Sequence, residues 1–453
     1  MRIRRRRLSV VVVVALALMT LPVPANAAVT QVTGTVISEA TGLPLLGMSV
    51  FTNRFGDVTN LSAVTNIEGR FAINVVPGDQ RVWATDGAHH YHMYSSYSPT
   101  TYNDMWWPVA SGTTANVTIK MRRDPDEYHD VIRLAGTDRY NTAIDVAAEG
   151  YPLWTGVNSV VLACGEDAHI VDSLSAAGLA GVLNAPLLLT RKDSIPSRVK
   201  GCLSMMSDTL DVYLIGSTAA ISAAVMSEIE AMPTVHEVFR VQGQDRYDTA
   251  TAVAGRMDQL DGNGTPHANV LIANGASSNS FYDALALSPI AARMHYPILL
   301  VKPTTPLPEA TIEYMVNELS SPRVYIAGGT NVVSEGVRTQ LGGAPGDRLS
   351  GPNRYATAVA IAARAKSAGW LPGAQPVLAA ALPDAVAGGV TAARKTSPLL
   401  LTRKDYLSTE PWNYLWGEGQ VYSYGFILGS STVMAPTVRT QTEYVINNAT
   451  GTP

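Results

Sequence analysis

Cysteine is nearly missing from this chain, with Cys164 and Cys202 the only two in 453 residues. In an oxidising compartment they allow one disulfide or two buried free thiols, and no function is built on them. Charge is also scarce, at 15% of residues against 46% hydrophobic, which marks a globular chain rather than a disordered one. Past the first 27 residues no apolar run reaches the 18 or so residues that a membrane-spanning helix needs, so an integral membrane protein is not expected. Catalytic signatures are absent too: there is no Gly-x-Ser-x-Gly elbow, no His-Glu-x-x-His helix, no P-loop and no GxGxxG turn. His129, His169, His236, His267 and His295 do not recur at equivalent places. No enzyme activity, no cofactor and no metal site are expected.

What is present begins with a targeting segment. Arg2, Arg4, Arg5, Arg6 and Arg7 precede the apolar run Leu8 to Met19, and Ala25-Asn26-Ala27 closes it with small residues. Residues 1–27 are therefore expected to be a secretory signal peptide. Its removal takes away five arginines and no acids, moving the formal charge from -4 to -9. An acidic exported protein is a poor partner for nucleic acid, and contact with any anionic polymer must come from local sites rather than from the overall field. The polar end Asn448 to Pro453 carries no sortase-type signal, so retention at the surface would be non-covalent.

Residues 28–122 show short alternating runs, including Val32 to Ile37, Ser49 to Phe51, Arg70 to Val75, Arg81 to Ala84 and Ala115 to Lys120, with turn residues between them. That spacing predicts an antiparallel β-sandwich. The wording Gly34-Thr-Val, Gly42-Leu-Pro-Leu-Leu-Gly47, Thr65 to Phe71 and Val76-Pro-Gly78 resembles the carboxypeptidase regulatory-like domain, a transthyretin-like sandwich. His89, His90 and His92 lack ligand partners. Tyr91, Tyr94, Tyr97, Tyr102, Trp106 and Trp107 read either as a sugar-stacking surface or as an aromatic loop over the sandwich edge. Residues 123–130, charged and containing Pro125, read as a linker.

The rest of the chain is organised by a phrase that returns three times: Arg133-Leu-Ala-Gly-Thr-Asp-Arg-Tyr-Asn-Thr-Ala143, Arg240-Val-Gln-Gly-Gln-Asp-Arg-Tyr-Asp-Thr-Ala250 and Arg348-Leu-Ser-Gly-Pro-Asn-Arg-Tyr-Ala-Thr-Ala358. The starts lie 107 and 108 residues apart, a domain-sized period. Copies are expected over 131–237, 238–345 and 346–448, with a tail at 449–453. After each phrase the spacing of Tyr140, Ala143, Ile144 and Ala147, and of their counterparts, predicts an amphipathic helix. Non-alternating runs such as Val160 to Ala163 predict strands buried on both faces of a parallel sheet. Each copy is thus expected to be a small doubly wound, Rossmann-like α/β unit.

The phrase, the alanine-rich helix opened by Asp172, Asp283 or Asp384, and the run Pro-Leu-Leu-Leu-Thr together resemble the cell wall binding repeat type 2 family. That resemblance implies three modules in a pseudo-threefold arrangement. It also implies a secreted, wall-associated protein of a Gram-positive cell, held without a covalent link to an anionic polymer, teichoic-acid-like or a secondary polysaccharide. Alternatives are a peptidoglycan hydrolase or its modifier, and a glycan-binding adhesin acting through the sandwich. Arg139, Arg246 and Arg354 could each present a planar fork to a phosphate or carboxylate of the polymer. Equally they could pair with Asp172, Asp283 and Asp384, locking helices inside a module or serving the interfaces between copies. Gly216-Ser217, Gly328-Gly329 and Gly429-Ser430, where a strand turns toward a helix, are candidate anion-binding turns. Asn353 stands where the other two phrases have aspartate, which would weaken copy three if the acid matters.

Overall fold

The computed structural model describes residues 30–448 except 39–43, 45–47, 55–60, 67–68, 86–90, 96–105, 124–130, 262–268, 320–321, 345–346, 374, 418–421 and 423. The expected signal peptide, most of the linker and the tail lie outside the described residues, as do His89, His90, Tyr97, Tyr102, His129 and His267. Chain contacts divide the protein near residue 122 into two units.

The first unit holds eight strands: β1 (Gln31–Ser38), β2 (Ser49–Arg54), β3 (Leu61–Val64), β4 (Arg70–Asn74), β5 (Gly78–Thr85), β6 (Tyr91–Ser95), β7 (Trp106–Val109) and β8 (Thr114–Arg123). They form two four-stranded sheets, β4-β1-β8-β6 and β3-β2-β5-β7. β1 runs antiparallel to β4, as do β2 to β3 and β5, and β5 to β7. Val32, Val36, Val50, Phe71, Ile73, Val82, Val109, Val117 and Ile119 come from both sheets into one buried cluster, the consequence of period-two alternation. Of the aromatic residues read as a stacking surface or a loop, Tyr91 and Tyr94 lie in β6 and Trp106 and Trp107 in β7. Aromatic side chains favour extended backbone, and both strands find a partner edge.

Copy one contains β9 (Val131–Leu134), α1 (Arg139–Gly150), β10 (Ser159–Cys164), a 3-10 turn (Ile170–Ser175), α2 (Ala176–Val182), β11 (Leu187–Thr190), α3 (Ser197–Met206), β12 (Leu210–Ile215) and α4 (Ala223–Glu230). Next come β13 (Val235–Val241), α5 (Arg246–Leu260), β14 (Asn269–Asn274), α6 (Phe281–Met294), β15 (Ile298–Val301), α7 (Glu309–Glu313), β16 (Arg323–Ala327) and α8 (Glu335–Gln340). The chain finishes with β17 (Arg348–Leu349), α9 (Arg354–Ser367), β18 (Val377–Ala379), α10 (Leu382–Arg394), β19 (Leu399–Leu401), α11 (Thr409–Gly417), β20 (Gly425–Leu428) and α12 (Pro436–Asn448).

The sheets do not follow the sequence period. Their orders are β11-β10-β12-β13, β15-β14-β16-β17 and β19-β18-β20-β9, and every recorded pair in them is parallel. The fourth strand of each sheet is the start of the next copy's phrase, and sheet three takes β9 from the beginning of copy one, Val131 to Leu134 lying beside Gly425 to Leu428. The block is therefore closed into a ring by strand exchange.

Helices α2, α6 and α10, one from each copy, meet in the middle at equivalent positions. Gly181 abuts the Ala292 backbone and Gly389 abuts Ser288, both so closely that an added methyl group would overlap its neighbour. Those two contacts join residues nine and five places after Asp172, Asp283 or Asp384, as an axis relating the copies requires. Around this centre the seams differ in charge. Arg256 lies 4.6 Å from the Phe239 ring and Arg364 5.4 Å from the Tyr325 ring, each reaching back onto the preceding sheet. At the closing seam the equivalent position is Glu149, which pairs at 2.9 Å with Lys395, itself 5.5 Å from the Phe426 ring. Cys164 and Cys202 are both buried free thiols.

Candidate functional site

Open parallel sheets present their crevice beyond the carboxyl ends of the strands, where the strand order reverses. In the first sheet that point lies between β10 and β12, and it holds Asp172 and Gly216; the counterparts are Asp283 with Gly328 and Asp384 with Gly429. The three glycines have φ of +97°, +96° and +100°, where side chains are strained, and a Cβ there would come within 2.8, 2.7 and 2.5 Å of the aspartate Oδ2. Only glycine lets the carboxylate approach the strand end.

The opening phrase supplies the rest of each crevice. Its first arginine donates to the glycine carbonyl of the preceding copy: Arg240 to Gly216 at 3.0 Å, Arg348 to Gly328 at 2.9 Å and, across the closure, Arg133 to Gly429 at 2.7 Å. The residue before the second arginine caps the helix. Asp138 accepts from the Asn141 amide at 2.8 Å, Asp245 from Tyr247 at 2.8 Å, and Asn353 from Tyr355 at 3.0 Å. Asn353 thus performs the same capping as the aspartates, because an amide oxygen accepts as a carboxylate does. The threonine hydroxyls of Thr142, Thr249 and Thr357 accept from the amides of Gly136, Gly243 and Gly351.

The second arginine contacts its own copy in two cases and the preceding copy in the third. Arg139 donates to the Gly165 carbonyl at 2.6 Å and to Asp167, and Arg246 to the Gly275 carbonyl at 2.8 Å, each in its own copy. Arg354 lies 4.1 Å from the Tyr282 ring and 3.4 Å from Asn279 Oδ1, both in copy two. Burial pushes the carboxyls of Asp283 and Asp384 up to about 6 and raises that of Asp172, and the opposing cation in every case belongs to the following copy: Arg354, Arg139 and Arg246 respectively. The charge acting on each of the three aspartates from these arginines comes from the following copy, while Arg139 also pairs with Asp167 of its own copy.

In the candidate anion-binding turns the first glycine amide is engaged by the fold. The amides of Gly216, Gly328 and Gly429 donate to Val241, Leu349 and Leu134 carbonyls, and a carboxylate stands against each glycine. Ser217, Gly329 and Ser430 turn their carbonyls to amides three residues on, and α4 and α8 start only after the caps Ser222 and Ser334. An anion at the glycine would meet a carboxylate rather than a free amide.

One recurring feature escaped the sequence reading. Arg191, Lys302 and Arg403 follow the third strand of each copy, β11, β15 and β19, and all three are exposed. The Arg191 guanidinium lies 5.3 Å from the Tyr140 ring, and that of Arg403 5.7 Å from the Tyr355 ring. The signal was available: a cation follows Pro-Leu-Leu-Leu-Thr, or its variant Pro297 to Val301, every time. Among the described residues no cluster of histidine, cysteine or carboxylates could hold a metal, and no helix is long and apolar enough to cross a membrane.

The deep carboxylates predict a pH dependence. Asp283 and Asp384 bind a proton near pH 6 when folded but near 3.8 when unfolded, so folding becomes more favourable as pH falls through 6 and the gain is complete below about 4. Relative to wild type, a D283N/D384N variant should therefore gain stability as pH rises from 4 to 7, by on the order of 3 kcal/mol per site. Urea unfolding at several pH values measures the difference; parallel curves would refute it.

Fold and crevices together define a ring of three strand-exchanged α/β modules with a polar seam between each pair. The sequence profile of cell wall binding domain 2 (CWB2) matches the chain three times, over residues 133–226, 240–338 and 348–439, and the chain belongs to that family. It is a secreted protein associated with the cell wall. Two curated relatives come from Bacillus subtilis (strain 168). N-acetylmuramoyl-L-alanine amidase LytC is 31% identical over 289 residues, 62% of this chain and 52% of the relative. The amidase enhancer is 27% identical over 306 residues, 67% of this chain and 39% of the relative. The chain spans about half or less of those proteins. Among solved structures it is similar to Cwp6 from Clostridium difficile, with TM-score 0.61 and 20% identity over 94% of this chain and 68% of that one. Cwp8 from the same organism gives TM-score 0.61 and 18% identity, over 88% and 78%. At these identities the likeness is one of fold.

Proposed function

We propose that the protein is a non-catalytic surface protein, anchored without a covalent link to an anionic secondary polymer of the wall, and that the N-terminal pair of sheets is a carboxypeptidase regulatory-like sandwich displayed by that anchor. The observation that carries the anchoring is the exposed cation repeated after β11, β15 and β19, Arg191, Lys302 and Arg403, in an otherwise acidic protein. Arg139, Arg246 and Arg354, set against the buried Asp384, the half-buried Asp172 and the buried Asp283, act in this reading as the lock between modules. Three weak sites on one repeating polymer raise avidity by roughly 10²- to 10⁴-fold without a new kind of contact.

Cosedimentation with purified walls tests this. The mature chain should pellet with intact walls, stay in solution when anionic polymer has been stripped, and lose pelleting by about tenfold or more in R191A/K302A/R403A. Equal pelleting with stripped and intact walls would sink the reading. The relatives favour a second one, a modifier of an amidase. The aligned stretches, 289 and 306 residues, are no longer than the three copies together, which supports shared anchoring over shared catalysis. Peptidoglycan turnover by the purified protein would reverse that order.

A further inference from the structure

Copy three carries a surface that the other copies lack. Trp412 and Trp416 stand one turn apart on α11, and Tyr444 of α12 lies within stacking reach of both. The Trp412 to Tyr444 ring centroids are 5.9 Å apart with planes 25° from parallel, and those of Trp416 to Tyr444 are 6.2 Å apart at 18°. Parallel rings in full overlap would sit at about 4.5 Å or less, so these three are slipped sideways into a staircase. Much of this surface meets solvent: Tyr444 is 55% exposed and Trp416 36%.

The staircase is rigidly founded. Leu415, Val445 and Ile446 are buried beneath it in one cluster, with Trp412 partly buried against them. At the equivalent positions copy one has Lys200, Ser204 and Ala231, and copy two has Ile312, Val316 and Gly343, none of which offers a ring. The fold does not require aromatics here, since two copies build the same helix pair without them.

We propose that this staircase is a binding site for an uncharged chain of pyranose sugars, distinct from the charged seams. The axial C–H face of a pyranose is flat and apolar, and packs on an open aromatic ring, while its hydroxyls point sideways to polar groups. Both requirements are met. Both tryptophan rings lie near-parallel to the Tyr444 ring, so more than one ring is available to successive sugars of a chain. Polar groups share the two helices: exposed Asn413 follows Trp412 on α11, and the half-buried pair Arg439 and Glu443, 2.7 Å apart, precedes Tyr444 on α12. A polyanion would gain little from three rings bordered by a neutralised ion pair in an acidic protein. The site goes beyond the anionic-polymer reading and stands without it.

The test uses the mature full-length chain and a soluble uncharged probe, the N-acetylglucosamine hexamer. Titration followed by tryptophan fluorescence and by calorimetry should show saturable binding. Y444A and W416A should each weaken it about tenfold, and W416F, which keeps a ring, about twofold or less. Thermal midpoints should barely move, because Trp416 and Tyr444 are exposed; Tyr444→Ser serves as a second variant if Y444A unfolds. R191A/K302A/R403A should bind the hexamer like wild type, which separates this site from the seams. No saturable binding, or binding that Y444A and W416A leave unchanged, overturns the proposal. Self-association abolished by Y444A, with no response to the hexamer, would show a chain-to-chain contact instead and also overturn it.

Discussion

Gly181→Val should unfold the repeat block at a markedly lower urea concentration, costing at least about 3 kcal/mol. The reason lies at the centre of the ring, where α2 and α6 approach so closely that any side chain at Gly181 would enter the Ala292 carbonyl. Backbone held within a helix cannot yield as a flexible side chain does, so the clash must separate two helices. Gly201→Ala is the matching control. Gly201 lies inside α3 with nothing within 4 Å of a built Cβ, and alanine there should stabilise by about 0.5–1 kcal/mol by restricting the unfolded chain. The same residue type thus predicts opposite signs at two sites 20 positions apart. A silent Gly181→Val would mean that the central helices do not touch. Urea midpoints at constant m-value measure both effects.

The second large effect concerns closure. Leu134, at the start of copy one, is 7% exposed because β9 completes the sheet of copy three, and Leu349, which joins the second sheet, is 6% exposed. Leu134→Asp and Leu349→Asp should therefore be equally harmful, each costing about 3–5 kcal/mol for an unpaired charge in place of a buried side chain. In an open row of three modules β9 would have no sheet to join, and Leu134→Asp would be harmless. Equal loss in the two variants supports the ring, and a silent Leu134→Asp refutes it. The bond from Arg133 to the Gly429 carbonyl, 2.7 Å long and spanning nearly the whole block, would be lost with the strand.

Much of a single module could be read without coordinates. Tyr140, Ala143, Ile144 and Ala147 are buried along α1, and Val160 to Ala163 are buried on both faces of β10, as the spacing predicts. The aspartate or asparagine cap could be read too, since a polar residue before an apolar helical stripe meets the unpaired amides of the first turn. The role of the phrase's first arginine is not legible in the sequence although it recurs three times, because its acceptor is a backbone carbonyl, which no residue type announces. The exposed cations at 191, 302 and 403 were passed over because copy two replaces the surrounding Thr-Arg-Lys with Val301-Lys302-Pro303.

The chain's own pattern determined how many modules there are, where their helices and strands run, and which residues the fold repeats. Those are local matters, set by side-chain periodicity and capping over a dozen residues at a time. The tertiary structure alone decided that the phrase closes the sheet of the preceding copy, that its first arginine bonds the glycine carbonyl of that copy, and that Gly181 and Gly389 touch other helices. The physical reason is that all three sheets have chemically similar edges. A strand such as β9 could in principle pair with any of them, and only the simultaneous packing of α2, α6 and α10 about one centre brings copy one back to copy three.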